Sequence, residues 1–259
     1  MLKNLVNKFA TTLGYEVSVY PVGKSKYQTP KTGIVFVHIP KCGGISIDKA
    51  LRSKLANPGE RRIDRQALIH SNLNAFDREI SSIEDACDFN EFHCEENKRI
   101  LRYHLSQNWR YISGHLTVDQ SILQYYKQSH KFVTVLREPK ARFISNYLYN
   151  KLTNTNKTML PNNHENLTVD GAINEAKTII QSRRGWHIAN TLSLFITGSF
   201  PKDKQDALAR EQLFAKNIEL FSAVGFLDDL PAFCQKIDTL LDIKPVSYTH
   251  LTLPTKRIV

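Results

Sequence analysis

The sequence predicts an α/β fold, a three-layer arrangement in which a mainly parallel sheet is flanked by helices. Short apolar runs rich in β-branched and aromatic residues recur along the chain, as strands buried on both faces require. Each run ends at a polar or glycine-containing turn, and apolar residues at helical spacing follow the turn. Repeated strand, turn and helix units of this kind specify a parallel sheet with helices on both faces.

The first predicted unit begins with the almost continuously apolar strand Ile34–Ile39. Pro40 ends this strand, and Gly43 and Gly44 follow in a turn whose backbone N–H groups can approach an anion closely. The apolar residues of the next helix are Ile47, Ala50, Leu51 and Leu55. The turn therefore lies at a helix N-terminus, where Lys41 adds a positive charge, and we expect it to bind a phosphate-like anion. A tight turn without a ligand is the alternative that the glycine pair alone leaves open.

The stretch Asn57–Gln107 is polar and charged and contains no motif with an assignable chemistry. A helix is expected around Arg99–Leu105. We favour a solvated helical cover for the sheet over a lid or an acceptor-binding insertion. The cysteines and histidines of the region, Cys87, His93, Cys94 and His104, match no familiar zinc-ligand spacing, so we predict no metal site.

Three further strands are predicted, at Trp109–Ser113, Lys131–Leu136 and Ser222–Phe226. His115 follows the first of these and Arg137 follows the second, while Pro139 suits the first turn of the next helix. Asp228 or Asp229 is expected to cap the helix that continues to Leu241. Because ligands bind at the carboxyl ends of parallel strands, Lys41, His115 and Arg137 are expected to meet at one edge of the sheet.

The segment His-Ile-Pro-Lys-Cys-Gly-Gly-Ile-Ser at positions 38–46 closely resembles the His-Ile-Pro-Lys-Thr-Gly-Gly-Thr-Ser motif of carbohydrate sulfotransferases related to heparan sulfate 2-O-sulfotransferase. In that family the loop binds the 5′-phosphosulfate of 3′-phosphoadenosine 5′-phosphosulfate (PAPS). The resemblance implies a P-loop-NTPase-like sulfotransferase fold with PAPS as donor and no metal. The donor ligands that it implies in this loop are Lys41, Cys42, Gly43, Gly44, Ile45 and Ser46. Cys42 and Ile45 replace the usual threonines, which removes two hydroxyl ligands.

Two later motifs resemble the same family. The segment 136–147 is similar to Leu-Arg-Glu/Asp-Pro-x-x-Arg-x-x-Ser-x-Tyr, which implies that Arg137 and Ser145 hold the donor's 3′-phosphate. Tyr-Ile-Ser-Gly-His at 111–115 places His115 where the family has the base that deprotonates the acceptor hydroxyl, a role that suits imidazole. Lys41 is implied to stabilise the charge that develops on the departing 3′,5′-bisphosphate.

Downstream segments at 190–198 and 215–228 resemble the family more loosely, and the arginine expected in the first of them is missing. Aromatic and cationic side chains together suit acidic sugars, so four residues are candidates for acceptor binding. These are Arg183, Arg184, Trp186 and His187. The alternative is that they form ordinary scaffold surface.

Lys and Arg exceed Asp and Glu by 35 to 25 among 259 residues, a formal charge of +10 that favours anionic partners without choosing among them. We expect a carbohydrate acceptor and no nucleic acid, while the oligomeric state is not indicated.

Four cysteines are too few for a disulfide scaffold. No apolar run reaches the ~20 residues of a membrane span, and a signal-peptide core is lacking. A cytoplasmic protein is therefore expected.

The predicted organisation is an N-terminal helix and linker at 1–32, a sulfotransferase domain at 33–245 and a non-native tail at 246–259. The N-terminal helix either packs on the domain or makes a peripheral contact with the inner face of the membrane. Two rival functions stay open, a nucleotide-dependent phosphotransferase and a non-catalytic basic module for anions or membranes. The phosphotransferase requires a carboxylate for Mg²⁺ and a loop hydroxyl after the lysine.

Overall fold

The computed structural model describes residues 32–153 and 168–241, together with Thr12. In chain order the elements are β1 (Gly33–Val37), α1 (Gly44–Leu55), α2 (Arg65–Phe76), α3 (Ile83–Ser106), β2 (Tyr111–Gly114), α4 (Gln120–Tyr126), β3 (His130–Leu136), α5 (Pro139–Thr153), α6 (Val169–Gln181), α7 (Arg183–Ala189), α8 (Thr191–Thr197), α9 (Lys204–Ile218), β4 (Ala223–Phe226), a 3-10 turn (Leu227–Asp229) and α10 (Leu230–Leu241). The N-terminal helix and the tail predicted from the sequence lie outside the described residues.

The four strands form a parallel sheet in the order β2-β1-β3-β4, which confirms the predicted α/β fold. Val35 of β1 lies opposite Ile112 of β2 on one side and Phe132 of β3 on the other. The chain passes from β1 to β2 and then crosses to β3, so the direction of winding reverses between β1 and β3. In open parallel sheets such a reversal creates a crevice at the carboxyl ends of the strands, where ligands bind.

Both faces of the sheet are buried, which explains why its strands are almost continuously apolar. Ile34 and Phe36 pack on one face with apolar side chains of α1 and α10, such as Leu51 and Phe233. Val35 and Val37 lie in the cluster on the opposite face. That cluster also contains Leu101 and Leu105 of α3 and Phe195 of α8. The sheet is thus the middle of three layers, as predicted.

Helix α3 spans 24 residues and is much longer than the helix expected around Arg99–Leu105. It begins at a capping box, in which the Ser82 side chain accepts from the Asp85 N–H and the Asp85 carboxylate accepts from the Ser82 N–H. Within the described residues, neither α3 nor any other helix is long and apolar enough to cross a bilayer.

Candidate active site

The turn between β1 and α1 leaves the N-terminus of the helix without a side-chain cap. Gly43 is the N-cap residue with φ 75°, no side chain in the described part of the protein caps the helix, and the first turn of α1 contains no acidic residue. Lys41 also has positive φ, 67°. A Cβ on Gly44 would lie 2.5 Å from the His38 ring, so the turn requires glycine there. The exposed N–H groups and the positive end of the helix dipole make this turn suitable for an anion.

A cavity of about 720 Å³ lies next to this turn and brings the main predicted site residues together. Lys41, His115, Arg137 and Ser145 all line it. So do Gly43, Gly44, Ile45 and Ser46 of the loop. The volume falls in the range of about 300–1,000 Å³ typical of ligand pockets.

The cavity has a strongly positive lining. Among the described residues, the lining includes five basic side chains and no aspartate or glutamate. The basic residues are Lys41, Arg65, Arg137, Arg142 and Arg184. Cations gathered without acidic partners repel one another, and a bound anion relieves that repulsion.

The imidazole of His115 is held as a neutral base at the cavity wall. Its Nδ1 lies 2.7 Å from the His38 carbonyl oxygen, to which it donates as Nδ1–H, so Nε2 is left to accept a proton. The backbone oxygen of His115 accepts from Asn97 Nδ2 at 3.3 Å. Burial, followed by the charge of the neighbouring His38, lowers the pKa of His115 to about 3. The ring is therefore unprotonated at neutral pH.

Arg137 is connected directly to the anion-binding turn. Its Nη1 donates to the Lys41 carbonyl oxygen at 3.2 Å. The Lys41 ammonium lies 4.1 Å from the centroid of the Tyr149 ring. Partial burial and then the positive charge of Arg137 lower the pKa of Lys41. A doubly charged phosphate between the two cations would stabilise both of them.

Sequence reasoning gave no role to Arg142, which the structure places in the cavity wall with 0% exposure. One guanidinium nitrogen donates to the Ile188 carbonyl, while Nε and Nη1 have no partner among the described residues. An unpaired buried cation is costly, and natural proteins rarely leave such nitrogens unsatisfied. This arginine therefore fits a site that receives an anion. The feature of the sequence that could have pointed to Arg142 is its position as the second arginine of the segment 136–147.

Comparison with known protein families agrees with this geometry. A sequence model of the Sulfotransferase family matches residues 27–191, more than half of the chain. The chain belongs to the sulfotransferase family. No curated protein gives a significant match. The matched segment of the sulfotransferase contains Lys41, His115, Arg137 and Ser145, together with strands β1 to β3.

Cys42 does not line the cavity of the sulfotransferase, although it was predicted to bind the donor. Its thiol is buried in the core cluster that contains Val35 and Val37, and its Sγ lies 3.8 Å from the Pro40 carbonyl oxygen. Burial raises the pKa of the thiol to about 11, so it stays protonated. Its backbone N–H donates to the Ile39 carbonyl at 3.4 Å. By contrast, Ile45 is exposed at the cavity edge and contributes only its backbone as a polar group.

The four predicted acceptor residues separate into two pairs. Arg184 and His187 line the cavity. Arg183 is excluded from it, because its guanidinium binds Glu84, Asp88 and Glu91 of α3 at 3.1, 2.8 and 2.7 Å. Trp186 is half-buried and does not line the cavity. Arg183 therefore links α7 to α3 through ion pairs, and the three carboxylates of α3 balance its charge.

Four buried or half-buried histidines of the sulfotransferase predict a loss of stability in mild acid. Burial is the main cause that lowers the pKa of His38 and His93 to about 4 and of His115 and His187 to about 3. In the unfolded chain the same imidazoles bind protons near pH 6.5. Unfolding between these values therefore takes up protons, and stability falls as the pH drops below about 6.5.

The expected loss is about 1.4 kcal/mol per histidine for each pH unit below 6.5. Equilibrium urea unfolding at pH 7.5 and pH 5.5 measures it. Replacing His93 by glutamine removes one of the four imidazoles and should reduce the difference between the two conditions. Equal unfolding free energies at both pH values would show that these histidines are not kept neutral by the fold.

Proposed function

We propose that the protein transfers a sulfuryl group from PAPS to a hydroxyl of a carbohydrate. One observation carries this proposal. A neutral histidine base lies in the same cavity as an uncapped helix N-terminus and five basic side chains. Membership of the sulfotransferase family supports sulfuryl transfer in general. The choice of PAPS and of a sugar acceptor comes from the motif resemblance and from the fit of the residues present.

The residues around the β1–α1 turn fit the two phosphate groups of the donor. The N–H groups from Gly43 to Ser46 would hold the 5′-phosphate at the helix N-terminus. Arg137 and Ser145, which line the same cavity, would hold the 3′-phosphate through a guanidinium fork and a hydroxyl. The unpartnered nitrogens of Arg142 add positive charge at this wall. When bound, PAPS supplies the activated sulfuryl group.

In the proposed mechanism His115 and Lys41 act on opposite sides of the transferring sulfur. His115 Nε2 accepts the proton of the acceptor hydroxyl, while the His38 carbonyl holds Nδ1–H and so fixes the tautomer. The acceptor oxygen forms a bond to sulfur, and the bond from sulfur to the 5′-phosphate oxygen breaks. Lys41 stabilises the negative charge that develops on that oxygen.

Titration with 3′-phosphoadenosine 5′-phosphate (PAP) tests the donor site directly. We expect saturable 1:1 binding in calorimetry without added metal, because Lys41, Arg137 and the loop amides supply the positive groups. Adenosine 5′-phosphate lacks the 3′-phosphate and should bind about 10- to 100-fold more weakly, as expected for the loss of charge-assisted hydrogen bonds. Absence of PAP binding by a folded sample would refute the donor assignment.

The same titration separates the proposal from its two rivals. A basic anion-binding module should bind PAP and adenosine 5′-phosphate similarly, with a steep loss of affinity in salt. A nucleotide-dependent phosphotransferase should prefer ATP with Mg²⁺, which requires a carboxylate ligand. The described cavity lining contains no such carboxylate, and this favours the sulfotransferase.

A further inference from the structure

Two side chains of α7 are buried in the cavity wall with nitrogens that have no partner. Arg184 and His187 are each 2% exposed, and both line the cavity. Arg184 Nε and Nη2 and His187 Nδ1 make no hydrogen bond among the described residues. The two residues are three positions apart on one helix and therefore lie on the same face. Since buried polar atoms in native proteins are nearly always satisfied, these nitrogens are available to a ligand that enters the cavity.

Arg184 lacks the acidic partner that its neighbour has. Arg183 binds three carboxylates of α3, whereas no carboxylate in the described part of the chain pairs with Arg184. Burial lowers the pKa of Arg184, yet an arginine guanidinium remains charged in proteins. The result is a buried cation directed to a cavity whose lining, as far as the structure describes it, contains no acidic residue, and this arrangement suits an oxyanion.

His187 supplies an acceptor rather than a second cation. Its Nε2 lies 3.2 Å from Glu91 Oε1, and its ring stacks on Phe200 with centroids 3.8 Å apart. Burial and then the charge of Arg184 lower the pKa of His187 to about 3, so the ring is neutral. A neutral imidazole carries one proton, and the nearby Glu91 carboxylate favours its position on Nε2, so the unpartnered Nδ1 can accept a hydrogen bond from a hydroxyl. A cation beside a hydroxyl acceptor matches an acidic sugar better than a simple inorganic anion.

Arg184 lies on α7, which packs against α3, whereas Lys41 and Arg137 lie at the β1–α1 turn and the end of β3. Arg183 binds three carboxylates of α3, and His187 Nε2 lies 3.2 Å from Glu91 of the same helix. The α3 wall is joined to the turn that carries His115. Thr117 Oγ1 donates to the Cys94 carbonyl at 3.2 Å, and Asn97 Nδ2 donates to the His115 carbonyl at 3.3 Å. Arg184 is therefore connected through α3 to the turn that carries the assigned base, which favours the acceptor side of the site.

We infer that Arg184 and His187 form an acceptor subsite, in which Arg184 binds a carboxylate, sulfate or phosphate group and His187 Nδ1 accepts from a neighbouring hydroxyl. The substrate is then an acidic carbohydrate. The inference depends on the proposed function only where it names the bound sugar as the acceptor.

Sugar titrations of the PAP-saturated full chain test this subsite. The charged probes are glucuronate, glucose 6-sulfate and glucose 6-phosphate, and glucose is the neutral probe. At least one charged sugar should bind about 10- to 100-fold more tightly than glucose, the usual effect of a hydrogen bond to a charged group. The preferred probe identifies the anion. Equal binding of charged and neutral sugars would overturn the inference.

Arg184→Gln should reduce the affinity for the preferred charged sugar to that for glucose while PAP affinity is retained. Arg183→Gln is the matched control, since it removes the adjacent arginine outside the cavity and should keep the preference. Survival of the preference in Arg184→Gln would overturn the inference. If PAP does not bind the folded wild type, the same sugar titrations are made without PAP, and a preference that still depends on Arg184 would remove only the donor assignment.

The variant Arg184→Met distinguishes an arginine that binds a ligand from one that only supports the fold. Methionine fills similar space without a buried charge, and replacing an unpaired buried cation by an apolar side chain is neutral or stabilising. The urea midpoint of this variant should equal or exceed that of the wild type, together with loss of the charged-sugar preference. A clearly lower midpoint would assign Arg184 to the scaffold and overturn the inference.

Discussion

Replacing His115 by alanine is expected to reduce the rate of sulfuryl transfer by about 10²- to 10⁴-fold, the usual contribution of a positioned general base. The imidazole lies in the cavity with Nδ1 bound to the His38 carbonyl, which leaves Nε2 for the acceptor proton. PAP binding should persist, because the donor phosphates are assigned to Lys41, Arg137 and the loop amides. Radiolabelled sulfate transfer to an accepted sugar, at saturating donor, measures the effect.

A second buried histidine provides the control for this variant. His130 is also buried and also has a pKa lowered chiefly by burial, but its Nε2 bonds to the Trp109 carbonyl at 3.1 Å and it does not line the cavity. His130→Gln should therefore retain turnover. Near-normal turnover in His115→Ala, with folding and PAP binding intact, would eliminate His115 as the base.

The sheet and the donor side of the site were predictable because both depend on local sequence. A buried parallel strand must be apolar on both faces, so β1 and β3 are visible as short continuous apolar runs. Parallel strands bring their carboxyl ends to one edge, so the sequence alone groups Lys41, His115 and Arg137, and all three line the cavity. The turn itself is marked by its glycines and by the helix that follows.

The direction of individual side chains was not predictable, since it depends on tertiary packing. Cys42 occupies the position of a family threonine, yet the backbone here directs its thiol into the core. Arg183 and Arg184 are adjacent in sequence and chemically identical. Successive helical residues point about 100° apart, so Arg183 meets the carboxylates of α3 while Arg184 enters the cavity. Only the position of α3 distinguishes the two.

Replacing Lys41 by methionine should lower kcat by about 10²- to 10³-fold, comparable with the loss of one group that stabilises developing charge. The ammonium lies at the β1–α1 turn, and the Arg137 guanidinium donates to the carbonyl of the same residue. Its proposed partner is an oxygen that gains negative charge only as the bond to sulfur breaks. The variant should therefore change kcat more than the KM for PAPS.

Comparison of donor and product in this variant distinguishes transition-state stabilisation from simple donor binding. In PAP the 5′-phosphate carries the full charge that forms during transfer, so Lys41→Met should weaken PAP inhibition more than it raises the KM for PAPS. Lys140→Met is the control, because Lys140 is exposed on the first turn of α5 and does not line the cavity. An unchanged kcat with a raised KM would show that Lys41 binds donor and product alike and has no special role in the chemical step.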